Sequence, residues 1–265
     1  MKVGMCLPFE IGLDEVKKVL KDEGGDFWEG CYSALAKLEQ AEFDKINSFI
    51  KSIDLPLTHC NGFIDKDDRF FDSPEMLKKG EEYVKRSFER FSKTDLRHIT
   101  FGSGGARATC ESRNREETYK ILQEFCSEVL SPLAKDYGYT IGMEPLNRGE
   151  TDIFTTTSET FEFVKELNLP EIRMIVDFSH FTLEKEDFSI IKNYKGYLSH
   201  IHISDTNRHS PKPEIPEEKA LYDAFWSNLI PNVDDDVCIS MECWSDKPHG
   251  ETFDYLREVI KTYKK

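Results

Sequence analysis

Eight short apolar runs punctuate this chain, and most of them lead into a longer amphipathic stretch. They fall at Val3–Leu7, Asp26–Glu29, Leu55–Cys60, His98–Gly102, Tyr139–Glu144, Ile172–Asp177, Leu198–Ser204 and Val237–Cys243. The second is assigned partly from its place in the series. Strand alternating with helix predicts a parallel sheet, because a strand that returns in the same direction needs a crossover. Eight such units in one chain predict a closed (β/α)₈ barrel, a single α/β domain over residues 1–265, and not an open doubly wound sheet.

Between the runs lie helix signals. Ser73-Pro74-Glu75 offers an N-cap followed by proline at the first helical position. Asn114 with Glu117, and Thr156 with Glu159, have the spacing of capping boxes. From Thr118 to Ala134, apolar residues recur at helical spacing through Leu122, Phe125, Val129 and Leu133. Asn207–Glu218, polar and proline-rich, reads as a long loop after the seventh strand.

Composition narrows the partners. Fifty acidic residues against 35 basic ones leave a formal charge of −15, a surface that repels phosphate backbones and anionic membranes. No stretch approaches the roughly 20 apolar residues of a membrane span. Seven cysteines, odd in number and without a C-x-x-C pair, predict reduced thiols and a cytoplasmic protein. The opening MKVGMCLPFE is too short in apolar run for a signal peptide, which fits that expectation.

In a barrel of this kind the active site lies at the carboxyl ends of the strands. The fifth run ends in Glu144, the sixth in Asp177 and the eighth reaches Glu242. The seventh carries His200 and His202 in alternation with isoleucines, which puts both on one face. A lone acid after a strand is more often an N-cap than a catalyst. Four consecutive strands with the same polarity at the same end need a common cause. Three carboxylates and one imidazole make a largely oxygen site for a divalent ion, Mn²⁺ first, with Co²⁺, Mg²⁺ or Zn²⁺ as alternatives.

Glu144-Pro-Leu-Asn-Arg-Gly-Glu150, Asp177-Phe-Ser-His180, His202-Ile-Ser-Asp-Thr-Asn-Arg208 and Met241-Glu242 together resemble the xylose-isomerase-like TIM barrel superfamily. Within it they are most like ketose 3-epimerases of the D-tagatose/D-psicose type. The resemblance covers residues 139–244; the N-terminal half matches only in its rhythm and in Thr58-His59. It implies that Glu144, Asp177, His202 and Glu242 hold one metal ion, and that Glu150, His180 and Arg208 bind a sugar near its carbonyl end. It implies further that Glu144 and Glu242 exchange a proton on opposite faces of the carbon beside that carbonyl, through a metal-stabilised enediolate. By analogy alone it implies a homo-oligomer. An aldose–ketose isomerase, an inosose dehydratase or isomerase, and an oxidised-sugar lyase share the scaffold and remain alternatives. A non-catalytic sugar-binding barrel is opposed by the intact glutamate pair. An AP endonuclease would need an extra fourth-strand histidine where Phe101-Gly102-Ser103 stands, and an Asp-x-His pair that Thr206-Asn-Arg-His209 does not supply.

Other residues carry weaker expectations. His59 closes the third run and is a candidate substrate or supporting residue. Glu29 reads as a surface or loop acid, and His200 as a filler one layer below His202. Phe101-Gly-Ser-Gly-Gly-Ala-Arg107 lacks the ending of a phosphate loop and reads as a tight turn; its Arg107 is a candidate partner for an anionic substrate group. Trp244 is placed equally well against a sugar or in the core.

Overall fold

A computed structural model describes residues 1–243 and 249–264. Eight strands close into a parallel barrel in chain order: β1 (Val3–Cys6), β2 (Phe27–Cys31), β3 (Leu57–Asn61), β4 (His98–Phe101), β5 (Thr140–Met143), β6 (Ile172–Asp177), β7 (Leu198–Ile203) and β8 (Cys238–Met241). Closure is made by β1 on β8, with Val3 opposite Ile239 and Met5 opposite Met241. The strands are almost wholly buried, as expected of a sheet covered on its outer face by helices and filled within by its own side chains. The second run proves to be a full strand, continuing past Glu29 to Cys31. The third begins later than its apolar pattern and ends at Asn61.

The helix signals are used as written, with two exceptions. The Ser73 hydroxyl accepts from the Met76 backbone N–H at the head of the helix Pro74–Phe91, which turns Tyr83, Val84, Phe88 and Phe91 inward. Asn114 and Glu117 form the reciprocal capping box. Thr156 caps its helix alone; the Glu159 carboxylate instead accepts from the backbone N–H groups of Phe154 and Thr155. The long loop after β7 is shorter than its composition suggests, because Pro216 opens a helix that takes Glu217 and Glu218 into its first turn. Among the described residues no helix is long and apolar enough to cross a membrane.

The barrel interior is not the usual aliphatic filling. His59, His98 and His200 cluster with ring centroids 4.5–5.2 Å apart, His59 stacked on His200 and His98 tilted against both, and Phe27 joins them 4.5 Å from His59. All are buried. Burial, and then the neighbouring His200, holds His59 and His98 well below the ordinary histidine range, so these rings pack as neutral aromatics. Gly142 makes the room: a Cβ there would lie 2.7 Å from the His98 ring and 2.5 Å from Ile175.

Candidate functional site

The carboxyl rim is where the acids gather. Glu144 follows β5, Asp177 ends β6, His202 lies in β7 and Glu242 follows β8. One ligand-capable atom from each comes within 4.8 Å of all the others. His202 Nδ1 stands 3.0 Å from Glu144 Oε1, 3.5 Å from Glu242 Oε2 and 4.0 Å from Asp177 Oδ2. Asp177 and His202 are fully buried and Glu144 nearly so, while Glu242 is partly open to a cavity of about 340 Å³.

Three carboxylates in so little water are costly unless matched by positive charge. Arg208 supplies one match: its Nη1 donates to Asp177 Oδ2 at 2.7 Å and to Glu242 Oε2 at 2.8 Å. Its backbone takes a left-handed conformation, φ 60°, in the turn after β7. Burial disfavours the Arg208 charge, but Asp177 and Glu242 outweigh it and raise its affinity for its proton. Asp177 responds in the other direction. Burial alone would raise it, yet Arg208, His180 and His202 hold it below the usual carboxylate range. Glu242 is pushed up to about 7, by burial first and by Glu144 and Asp177 after it, against the pull of His202 and Arg208.

Asp177 fills two roles at once. Its Oδ1 accepts from the His180 backbone N–H at 2.8 Å, capping the short helix Phe178–Leu183, while Oδ2 turns to the cluster. His180 is buried with Nε2 2.7 Å from Arg208 Nη2 and Nδ1 3.0 Å from Asn147 Nδ2. The same Asn147 amide donates to Glu150 Oε1 at 2.6 Å. Glu150, His180, Arg208, Glu144 and Glu242 all line the cavity.

The glycine run after β4 serves that lining. A Cβ on Gly102 would lie 2.2 Å from Glu144 Oε2. Gly102→Ala should therefore displace the Glu144 carboxylate and lower both divalent-ion affinity and turnover, while the melting temperature moves little. A calorimetric titration with Mn²⁺ beside a thermal melt checks this; unchanged ion affinity contradicts it.

Several residues sit elsewhere than the sequence suggested. Arg107 is buried and far from any anion-binding role: it donates to the carbonyls of Phe101, at 2.9 Å, and Glu144, at 2.6 Å, bracing the backbone that carries Glu144. His59 is not among the residues lining the cavity. It belongs to the histidine stack two residues before the end of β3, and the residue that β3 presents at the rim is Asn61, whose Nδ2 donates to Glu242 Oε1 at 3.2 Å. Glu29 is no surface acid; it is fully buried between His200, at 2.8 Å, and His202, at 3.1 Å. His200 occupies the layer below His202 as expected. Trp244 lies outside the described residues. Asn61, Asn147 and Glu29 had no signal of their own in the sequence, since an amide or an acid among small and aromatic neighbours is indistinguishable from a surface residue.

The family model described as xylose isomerase-like TIM barrel matches residues 18–263. A 3-dehydro-D-guloside 4-epimerase of Escherichia coli K12 is 22% identical over 71% of this chain and 73% of its own length. A ketose 3-epimerase of Arthrobacter globiformis is 24% identical over 56% of this chain, and the match spans about half of that enzyme, 51%. Among solved structures, the IOLI protein with a zinc atom superposes with a TM-score of 0.69 at 17% identity, covering 99% of both chains. At that identity the structural likeness speaks for the fold.

Proposed function

We propose that this chain, which belongs to the xylose isomerase-like TIM barrel family, is a divalent-metal-dependent sugar epimerase that moves a proton beside a carbonyl with Glu144 and Glu242. The observation that carries this is the gathering of Glu144, Asp177, His202 and Glu242, with ligand-capable atoms within 4.8 Å of one another, behind a cavity that Glu144 and Glu242 line. The donor set fits a divalent ion: three carboxylates and one imidazole, largely buried, with more negative charge than Arg208 alone offsets. Mn²⁺ suits such an oxygen-rich site best, with Co²⁺, Mg²⁺ and Zn²⁺ as alternatives. When bound, such an ion polarises a sugar carbonyl as a Lewis acid.

The protein's own groups do the rest. Glu144 and Glu242 come from strands three apart around the barrel, so their carboxylates approach a bound carbon from different sides. One Oε takes the proton beside the carbonyl; an Oε of the other delivers a proton to the opposite face. Arg208 and His180, already linked to each other, orient the carbonyl end, and Glu150 accepts from a hydroxyl further out. Both relatives' names describe inversion at the carbon next to a carbonyl, which supports the same chemistry here. A ketose inverted at C3 is the first choice of substrate. The longer alignment with the 3-dehydro-guloside enzyme favours a keto-glycoside inverted at C4 as the second. Seven unpaired cysteines and the charge of −15 support a reducing, cytoplasmic setting and a role away from nucleic acid.

The test is a set of free ketoses and 3-keto-glycosides in D₂O with Mn²⁺, followed by NMR. Deuterium should enter the carbon that inverts in one of the two classes; no exchange in either sinks the proposal. Chelation should abolish turnover, and Mn²⁺ or Co²⁺ should restore it. The chelated protein should also melt earlier, since an ion at 100 times its Kd stabilises the fold by about 2.7 kcal/mol.

A further inference from the structure

Glu29 touches nothing in the cavity, yet it is as enclosed as Asp177. It is fully buried and absent from the cavity lining. Its Oε2 lies 2.8 Å from His200 Nε2, and its Oε1 lies 3.1 Å from His202 Nε2, with the Thr100 hydroxyl 3.5 Å away. A carboxylate cut off from water must be matched by donors. An ionised carboxylate only accepts, so each of the two Nε2 atoms must carry the proton it shares with Glu29. Among the described residues the other ring nitrogen of His200, Nδ1, has no hydrogen-bond partner. That ring therefore serves as a brace for Glu29.

His202 is left with one choice. With Nε2 committed downward to Glu29, only Nδ1 faces Glu144, Asp177 and Glu242. We infer that Glu29 is a positioning residue that pins His202 in the tautomer and orientation that offer Nδ1 to the metal. The inference rests on the four-residue metal site proposed above. It also decides between two ion positions, because Cys6, Glu29 and His202 form a second group of convergent ligand atoms. Cys6 Sγ is 4.0 Å from His202 Nε2. An ion held there would need the same nitrogen that donates to Glu29; the two arrangements exclude each other. Supporting carboxylates behind a ligating histidine commonly control its affinity.

The experiment uses Zn²⁺ and Co²⁺ alone as probes, without substrate. In the zinc-loaded wild-type protein, long-range ¹⁵N spectra should show His202 with a proton on Nε2 and the metal on Nδ1. Glu29→Gln should weaken Zn²⁺ binding by roughly 10- to 100-fold. Its amide donates where the carboxylate accepted, so the Nε2–H signature of His202 or of its brace His200 should be lost, with the circular dichroism unchanged. A merely structural residue would leave that signature alone. The inference is overturned if His202 binds zinc through Nε2, if Co²⁺ develops a thiolate charge-transfer band from Cys6, or if Glu29→Gln binds Zn²⁺ as tightly as the parent. Should Glu29→Gln not fold, the wild-type spectrum alone decides. Failure of the wild-type protein to bind either ion would remove the metal site itself, and this inference with it.

Discussion

Glu242→Gln should keep the barrel and its divalent ion, yet invert its substrate roughly 10²- to 10⁴-fold more slowly than the parent, the range that general acid–base groups supply. Glu144→Gln should do the same. Glutamine preserves a carbonyl oxygen toward the cluster but cannot take up and release a proton, so chemistry should fall further than binding. The two variants should also differ from each other. The one that retains the proton-abstracting glutamate should still wash the substrate proton into D₂O from one face without inverting the carbon. Metal content measured in the same samples separates this from simple loss of the ion. A metal-replete Glu242→Gln protein that inverts its substrate at the parental rate would end the two-glutamate mechanism for this chain.

The second large effect concerns stability. Arg208→Ala removes the guanidinium that bridges Asp177 and Glu242. Taking one partner from a buried ion pair costs about 3–5 kcal/mol, which in a chain this long lowers the melting temperature by on the order of 10 °C. The loss should be largest in chelator and smaller in Mn²⁺, because an ion can answer the same carboxylates. Turnover should fall while metal content stays intact, which separates a substrate-orienting arginine from a support for the ion. Acid sensitivity supplies a further sign. Asp177 is held below the usual carboxylate range, so the unfolded chain takes up its proton first as pH falls. Its share of stability is complete above about pH 5 and fades below it. Without Arg208 that depression shrinks, and the acid limb of the stability profile should flatten. An unchanged melt in chelator would show that the bridge carries no net stability.

The second half of the barrel was far more legible in the sequence than the first, for a physical reason. On β5, β6 and β8 an apolar run ends abruptly in an acid, and the cost of burying that acid advertises a function. On β7 the alternation of histidine with isoleucine fixes which face the imidazoles share. Glu29 offers no such contrast. It sits among Phe27, Trp28 and Gly30, and the two imidazoles that hydrogen-bond it lie 171 and 173 residues away. Only the closure of the barrel brings them together. His59 lies two residues inside β3 and away from the cavity lining, because the strand runs on to Asn61. Arg107 looked like an anion receptor because a sequence does not reveal that its hydrogen bonds are spent on two backbone carbonyls. The capping signals held in full at Asn114 and Glu117 and in part at Thr156, where the Glu159 carboxylate turns to the backbone N–H groups of Phe154 and Thr155.

The cavity mouth is divided in a way that bears on how such an enzyme diversifies. Its carboxylates, Glu144, Glu150 and Glu242, come with His180 and Arg208 from β5–β8 and their loops, whereas β1–β4 and their loops contribute no acidic or basic side chain among the described residues, only Cys6, Leu7, Pro8, Cys31, Asn61, Gly62, Ser103 and Gly104. Apart from Asn61, which donates to Glu242, substitutions on that second side alter volume and leave in place the groups proposed to move the proton. A lineage can thus explore sugars of different length, or a sugar with an aglycone attached, by steps that are each nearly neutral for the chemistry. Selection acting on substrate choice should accordingly leave its marks on the first four loops, and a directed-evolution library confined to them should retain a far larger fraction of active members than one of equal size placed on the last four.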